Sequence, residues 1–229
     1  MKHLSSRIIS FMAVFASLTV VLNFLPSVWR SWAIYLEPIT GIVLGPYAGF
    51  FATLIGSTIA TAIKPSPLWM INITGSSMGT LAAGLLSKEN WRQLMAIYGT
   101  MLGIYFVHPL GTWFPVWAIL ETIMGFILIV PTVLLSKDLF KKSGKALTVS
   151  MILIFFVSTS CDTTTGIFLL VPLGLYSVLG SPEAAFAFIM AGVLNSYIEV
   201  VLIIVLSAVI GVPLFLTLRK YLSLRQPLS

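Results

Sequence analysis

Apolar residues in this chain gather into long runs separated by short clusters of polar, basic, Pro and Gly residues. The runs cover 8–25, 34–44, 46–63, 69–87, 94–107, 115–136, 147–170 and 184–218. Each is expected to be a helix, because an open strand edge leaves backbone groups that nothing in lipid can satisfy. Several contain Gly or Pro, which membrane helices tolerate when neighbours supply partners for the freed backbone groups. The runs 34–44 and 46–63 are parted only by Gly45-Pro46. Together they would make thirty helical residues, roughly 45 Å, against a hydrocarbon core of about 30 Å. A Pro inside a helix removes one backbone bond and clashes with the preceding turn, so the pair is read as a hairpin turn. Its first leg, about eleven residues, is short for a crossing and is expected to be tilted, partly extended or continued upstream through 32–35.

Charge then orients the chain. With the hairpin and an inside N-terminus, Lys2, Arg7, Lys88, Arg92, Lys137, Lys141, Lys142, Lys145, Arg219, Lys220 and Arg225 fall inside and only Arg30 and Lys64 outside, an 11 to 2 split of the 13 Lys and Arg. A single overlong span with the N-terminus outside splits them 10 to 3. Lys and Arg concentrate on the cytoplasmic side, and the first span carries Lys2, Arg7 and the amino terminus ahead of it, so both termini are expected to be cytoplasmic.

Composition sets the class. Hydrophobic residues make up 58% of 229 positions and charged residues 9%, and mean hydropathy is +1.04. The expected fold is all-α: a polytopic integral membrane helix bundle forming one domain over 1–229, in the plasma membrane. The first run is long for a signal-peptide core and lacks an A-x-A cleavage pattern, so it is read as a retained anchor. The net charge of +6 lies in short loops and at the two ends, which points to membrane orientation and away from nucleic acid. Cys161 stands alone and excludes an internal disulfide. One Cys with His3 and His108 cannot assemble the usual zinc or haem ligand sets, so no metal and no cofactor are expected. No H-E-x-x-H occurs and Gly75-Ser76-Ser77 has no defined base nearby, so an enzyme is not expected.

Ionisable groups within apolar runs cost several kcal/mol unless paired or wet, which makes them informative. In the hairpin topology Glu37, His108, Glu121 and Asp162 fall in the outer half or outer loops, and Asn195 and Glu199 near the middle. Glu121 is about six residues into its helix, roughly 9 Å deep. Glu121 and Asp162 either line an outward pocket or hydrogen-bond neighbouring Ser and Thr hydroxyls as packing glue. Trp29, Trp32, Tyr35, Trp69, Tyr105, Trp113 and Trp117 crowd the same side, either as an interfacial belt or as stacking surfaces for a flat, cationic heteroaromatic. Trp69 and Trp113 sit on short loops beside Asn72 and His108, and Asn72 offers a donor and an acceptor. His108 is either a ligand contact or a solvated loop residue before Pro109. The expected substrate site is therefore Trp69, Asn72, His108, Trp113 and Glu121. A competing expectation is a stand-alone secondary transporter or ion-coupled permease with Glu121, Asp162 and Glu199 as a relay. Such a transporter would need a second helix break to match Gly45-Pro46, for which Gly211-Val212-Pro213 is the candidate.

Three stretches together resemble a known family. Ala13, Ala16 and Ser17 form a small-residue face on the first span, L-G-P-x-A-G-x-x-x-x-x-x-G runs from Leu44 to Gly56, and Ser76-Ser77-Met78-Gly79-Thr80-Leu81-Ala82-Ala83-Gly84-Leu85-Leu86 follows. The pattern, over about the first 136 residues, is similar to the substrate-binding S component of energy-coupling factor (ECF) transporters. It implies a six-helix core within 1–136, with 147–218 as two additional transmembrane segments. It also implies capture of a vitamin or similar micronutrient from outside, with a coupling subunit and ATPases as partners and Ala13, Ala16 and Ser17 as the coupling interface. The chain has no G-x-x-x-x-G-K-[ST] loop, the nearest letters being Ser143-Gly144-Lys145, so ATP chemistry would belong to a partner. Two departures stand out: Ser57 follows Gly56 where the family often has an acid, and the two extra segments lie beyond its six.

Overall fold

The computed structural model describes residues 6–25, 31–221 and 226–228. Lys2, His3, Trp29, Arg30 and Arg225 lie outside the described residues. Among the described residues there is no strand, and the apolar runs are helices: α1 (Ser6–Phe24), α2 (Ala33–Leu44), α3 (Pro46–Ile63), α4 (Trp69–Ser87), α5 (Trp91–Val107), α6 (Leu120–Ile127), α7 (Ile129–Ser136), α8 (Gly144–Leu170), α9 (Pro182–Leu206) and α10 (Val212–Tyr221). Among the described residues five stretches are long and apolar enough to cross a membrane: Ser6–Phe24, Pro46–Ile63, Val116–Ser136, Gly144–Leu170 and Pro182–Tyr221. The molecule is an all-helical membrane bundle.

The chain reverses at Gly45. Its φ of 87° and ψ of 175° belong to a region that side chains strongly disfavour. Pro46 then opens α3 at a position where its missing N–H costs nothing. A Cβ placed on Gly49 would lie 3.2 Å from the Cα of Gly41. In one continuous helix these two residues would be about 12 Å apart. The hairpin reading of 34–63 therefore agrees with the geometry. Its first leg is a half-length helix of 12 residues, nearly all buried. About 18 Å of helix does not cross a hydrocarbon core, and α2 is accommodated because protein, not lipid, surrounds it.

Helix α4 explains how. It is less apolar than the five long spans, yet it packs on α2, α3 and α8. Small residues let its backbone approach: a Cβ on Gly41 would collide with the Thr80 carbonyl, and one on Gly84 with Pro46 at the turn. Thr53 and Thr80 hydroxyls meet at 2.9 Å, and the Ser158 hydroxyl donates to the Gly79 carbonyl at 2.8 Å. Helix α8 thus lies at the centre of the bundle, and one apolar core joins Ile42, Leu86, Ile154, Ile203 and Phe215. The 144–221 part of the chain shares its core with the first 136 residues.

Two proline-linked irregularities shape the remaining spans. Leu128 parts α6 from α7, three residues before Pro131, whose ring crowds the preceding turn. A π-helical turn, Ser207–Gly211, joins α9 to α10 just before Pro213. The second break expected near Gly211-Val212-Pro213 is thus a bulge within a continuous 40-residue helical stretch.

The alternating course gives the bundle two unlike ends. At one end lie the Gly45 turn and the loops after α4 and α7. Arg219 donates there to the carbonyls of Phe140 and Lys142 at 3.0 and 2.6 Å, and Leu228 donates its N–H to Val43. Lys141 pairs with Asp138 at 2.8 Å, which holds the Asp138 carboxyl below its ordinary range. Of the described Lys and Arg residues only Lys64 belongs to the opposite end.

Candidate functional site

Among the described residues, two cavities flank the N-terminal portion of α4. The first, about 690 Å³, lies at the end away from the basic loops, between α1, α2, α3 and α4. Asn23 and Phe24 come from the last turn of α1, Ile34 from the first turn of α2, Ser57 and Thr61 from α3, and Asn72 and Ser76 from α4; Ser31, Lys64 and Ser66 complete its mouth. Lys64 is exposed, so the cavity reaches the surface there. Ser57 is only 4% exposed, lies in the wall, and its hydroxyl has no hydrogen-bond partner among the described residues. That is unusual for a buried polar atom and marks a place where a ligand or water would bond.

The second cavity, about 520 Å³, opens between α8 and α9. Asp162, Thr163, Asn195, Ser196 and Glu199 supply its polar wall, and Ile167, Leu170, Phe188 and Ile189 its apolar one. Asn72 borders both cavities. Between them, Glu37 of α2 and Asp162 of α8 reach the same glycine face of α4. A Cβ on Gly79 would lie 2.9 Å from Glu37 Oε2 and 3.3 Å from the Asp162 Cβ, and one on Gly75 would collide with Asp162 Oδ1. The missing side chains at Gly75 and Gly79 are what admit two carboxyl groups into the packed centre.

The residues expected to form one site are dispersed. Asn72 is the one among them that lines either of these two cavities. Trp69 and Trp113 are each 50% exposed and face outward, as members of an interfacial belt do. His108 caps the short turn Pro109–Trp113, its Nδ1 accepting from the Leu110 N–H at 3.2 Å. Glu121 is buried and ties α6 to α8 and α9: Ser196 donates to Oε2, and Thr163 to Oε1 at 3.5 Å. Its geometry is that of the packing glue weighed for it in the sequence. Asp162 and Glu199 line the second cavity, while Glu121 stands beside it.

The small-residue face of α1 also divides. Ala16 is buried, its carbonyl 2.6 Å from where a Cβ of Gly56 would lie, so it belongs to internal packing. Ala13 and Ser17 lie on the exposed side of the helix. Sequence reasoning passed over Asn23, Ser57, Lys64 and Ser76. Ser57 carried a signal, as the hydroxyl that stands where the resembled family often has an acid. Lys64 entered only as an orientation charge.

No family model matches the chain. No solved structure matches it. An uncharacterized protein of Methanocaldococcus jannaschii is 24% identical over 133 residues, which is 57% of this chain and 45% of that protein. The match spans less than half of that relative's length.

Proposed function

We propose that the chain is the substrate-capturing membrane subunit of an ATP-driven importer, taking a vitamin-like micronutrient from outside the cell and energised by a partner coupling subunit and ATPases. The observation that carries this reading is the cavity of about 690 Å³ between α1 and α4. Its volume falls in the range of small-molecule sites, about 300–1,000 Å³. It lies at the end remote from Lys88, Arg92, Lys137, Lys141, Lys142 and Arg219, and the preference of basic residues for the cytoplasm turns its mouth outward across the plasma membrane. The resemblance of the 44–56 and 76–86 stretches to ECF S components supports the same assignment, since both stretches contribute to helices that enclose the cavity. The role is one of binding rather than catalysis.

A second reading, an ion-coupled permease, is favoured by one observation: Asp162 and Glu199 line a common cavity while buried within the membrane part of the bundle. The two readings separate on reconstitution. The purified chain alone in liposomes is expected to bind but not accumulate its substrate. Native mass spectrometry of protein extracted in mild detergent is expected to find a bound small molecule together with partner subunits. Accumulation by the chain alone, driven by an imposed proton or sodium gradient, would establish the permease instead.

A further inference from the structure

The chemistry of the first cavity narrows the ligand, granted that this cavity is the capture site. Among the described residues its lining holds hydroxyls and carboxamides in number, one aromatic ring, Phe24, and one charged group, Lys64. No carboxylate is among the described lining residues. Glu37, one turn deeper on α2 than Ile34, turns to the Gly79 face of α4. The aromatic side chains and the acid that favoured a flat cation in the sequence, Trp69, Trp113 and Glu121, are outside its wall. We infer that the cavity takes a small, polar organic anion, with its negative group toward Lys64 and its hydrogen-bonding groups toward Asn23, Asn72 and the Ser57 hydroxyl.

The physical case rests on matching. A cationic ligand would enter past a lysine and find no counter-charge among the described lining residues. An anion meets Lys64 at the mouth and donors beyond it. The buried Ser57 hydroxyl, without a partner among the described residues, can donate to such a ligand or accept from it. Ser57 lies seven residues from Lys64 along α3, roughly 10 Å.

Charge-selective thiol labelling tests this without knowing the ligand. Cys161 is fully buried and is replaced by Ala. Ser57→Cys and, separately, Ser76→Cys are then labelled on whole cells with two impermeant methanethiosulfonates of similar size, the ethylsulfonate anion and the ethyltrimethylammonium cation. Rates are normalised to Thr112→Cys on an exposed loop at the same end. Both cavity cysteines are expected to react, with the anion-to-cation ratio at least about fourfold above the loop control. That is the effect of one charge some 10 Å away in water acting oppositely on the two reagents. Lys64→Gln should return the ratio to that of the loop. A ratio at or below the control, or a preference that survives Lys64→Gln, overturns the anion assignment and leaves the capture cavity standing. No labelling at either position in protein that elutes as a single folded species removes the cavity, and with it the capture reading. Should one cysteine variant fail to fold, the other carries the measurement, because the two stand on different helices.

Discussion

Replacing Glu121 by Ala would remove the acceptor shared by the Ser196 and Thr163 hydroxyls in a buried setting. The expected loss is about 1–3 kcal/mol, while Gln, which keeps a carbonyl oxygen, should cost under about 1 kcal/mol. Melting temperatures in detergent check this, and an equal loss for both variants would mean that the negative charge itself is needed. At Gly45 any side chain must adopt φ of 87° with ψ of 175°. Gly45→Ala is therefore expected to lose about 1–3 kcal/mol. Gly103→Ala is the control, since nothing lies within 4 Å of the Cβ it adds. An unchanged melting temperature for Gly45→Ala would show that the turn relaxes into another conformation.

Helix α1 has two faces with different duties. Phe15, Ala16 and Thr19 are buried against the bundle, while Ala13 and Ser17 are exposed. Trp at position 16 should unfold the protein, because the Ala16 carbonyl already touches the space beside Gly56. Trp at positions 13 and 17 should leave expression and ligand binding intact. If these residues face a coupling subunit, it should abolish uptake in cells. Loss of binding together with uptake would instead place them in internal packing. The contrast between α4 and α1 shows where hydropathy misleads: α4 is polar for a membrane helix because protein covers it, and α1 is apolar because little does.

Orientation belongs to the whole molecule. The end bearing Lys137, Lys141, Lys142 and Arg219 is expected to face the cytoplasm. In the Cys161→Ala background, Lys141→Cys should resist an impermeant maleimide on intact cells and react after permeabilisation, whereas Ser66→Cys should react from outside. The reverse pattern would turn the first cavity inward and end its candidacy for capture from the medium. The stretch Pro182–Tyr221, 40 residues and about 60 Å, exceeds a hydrocarbon core of about 30 Å. Its last turns therefore extend past the core at the basic end, where Arg219 is fastened to the 139–142 loop.

The amino-acid sequence by itself determined the helical membrane character, the reversal at Gly45-Pro46 and the uneven distribution of basic residues. These follow from local rules: run length, the missing N–H of Pro, the positive φ open to Gly, and the cost of moving charge into lipid. It also flagged Glu121 and Asp162 as acids that must be accommodated. Only the tertiary structure decided that Glu121 ties helices together, that Trp69 and Trp113 face outward, and that Asn23, Ser57, Lys64 and Ser76 enclose one space. Those assignments depend on the rotation of each helix and on how closely Gly41, Gly75, Gly79 and Gly84 let α4 approach its neighbours. Such distances arise between segments far apart in the chain, so no local pattern encodes them.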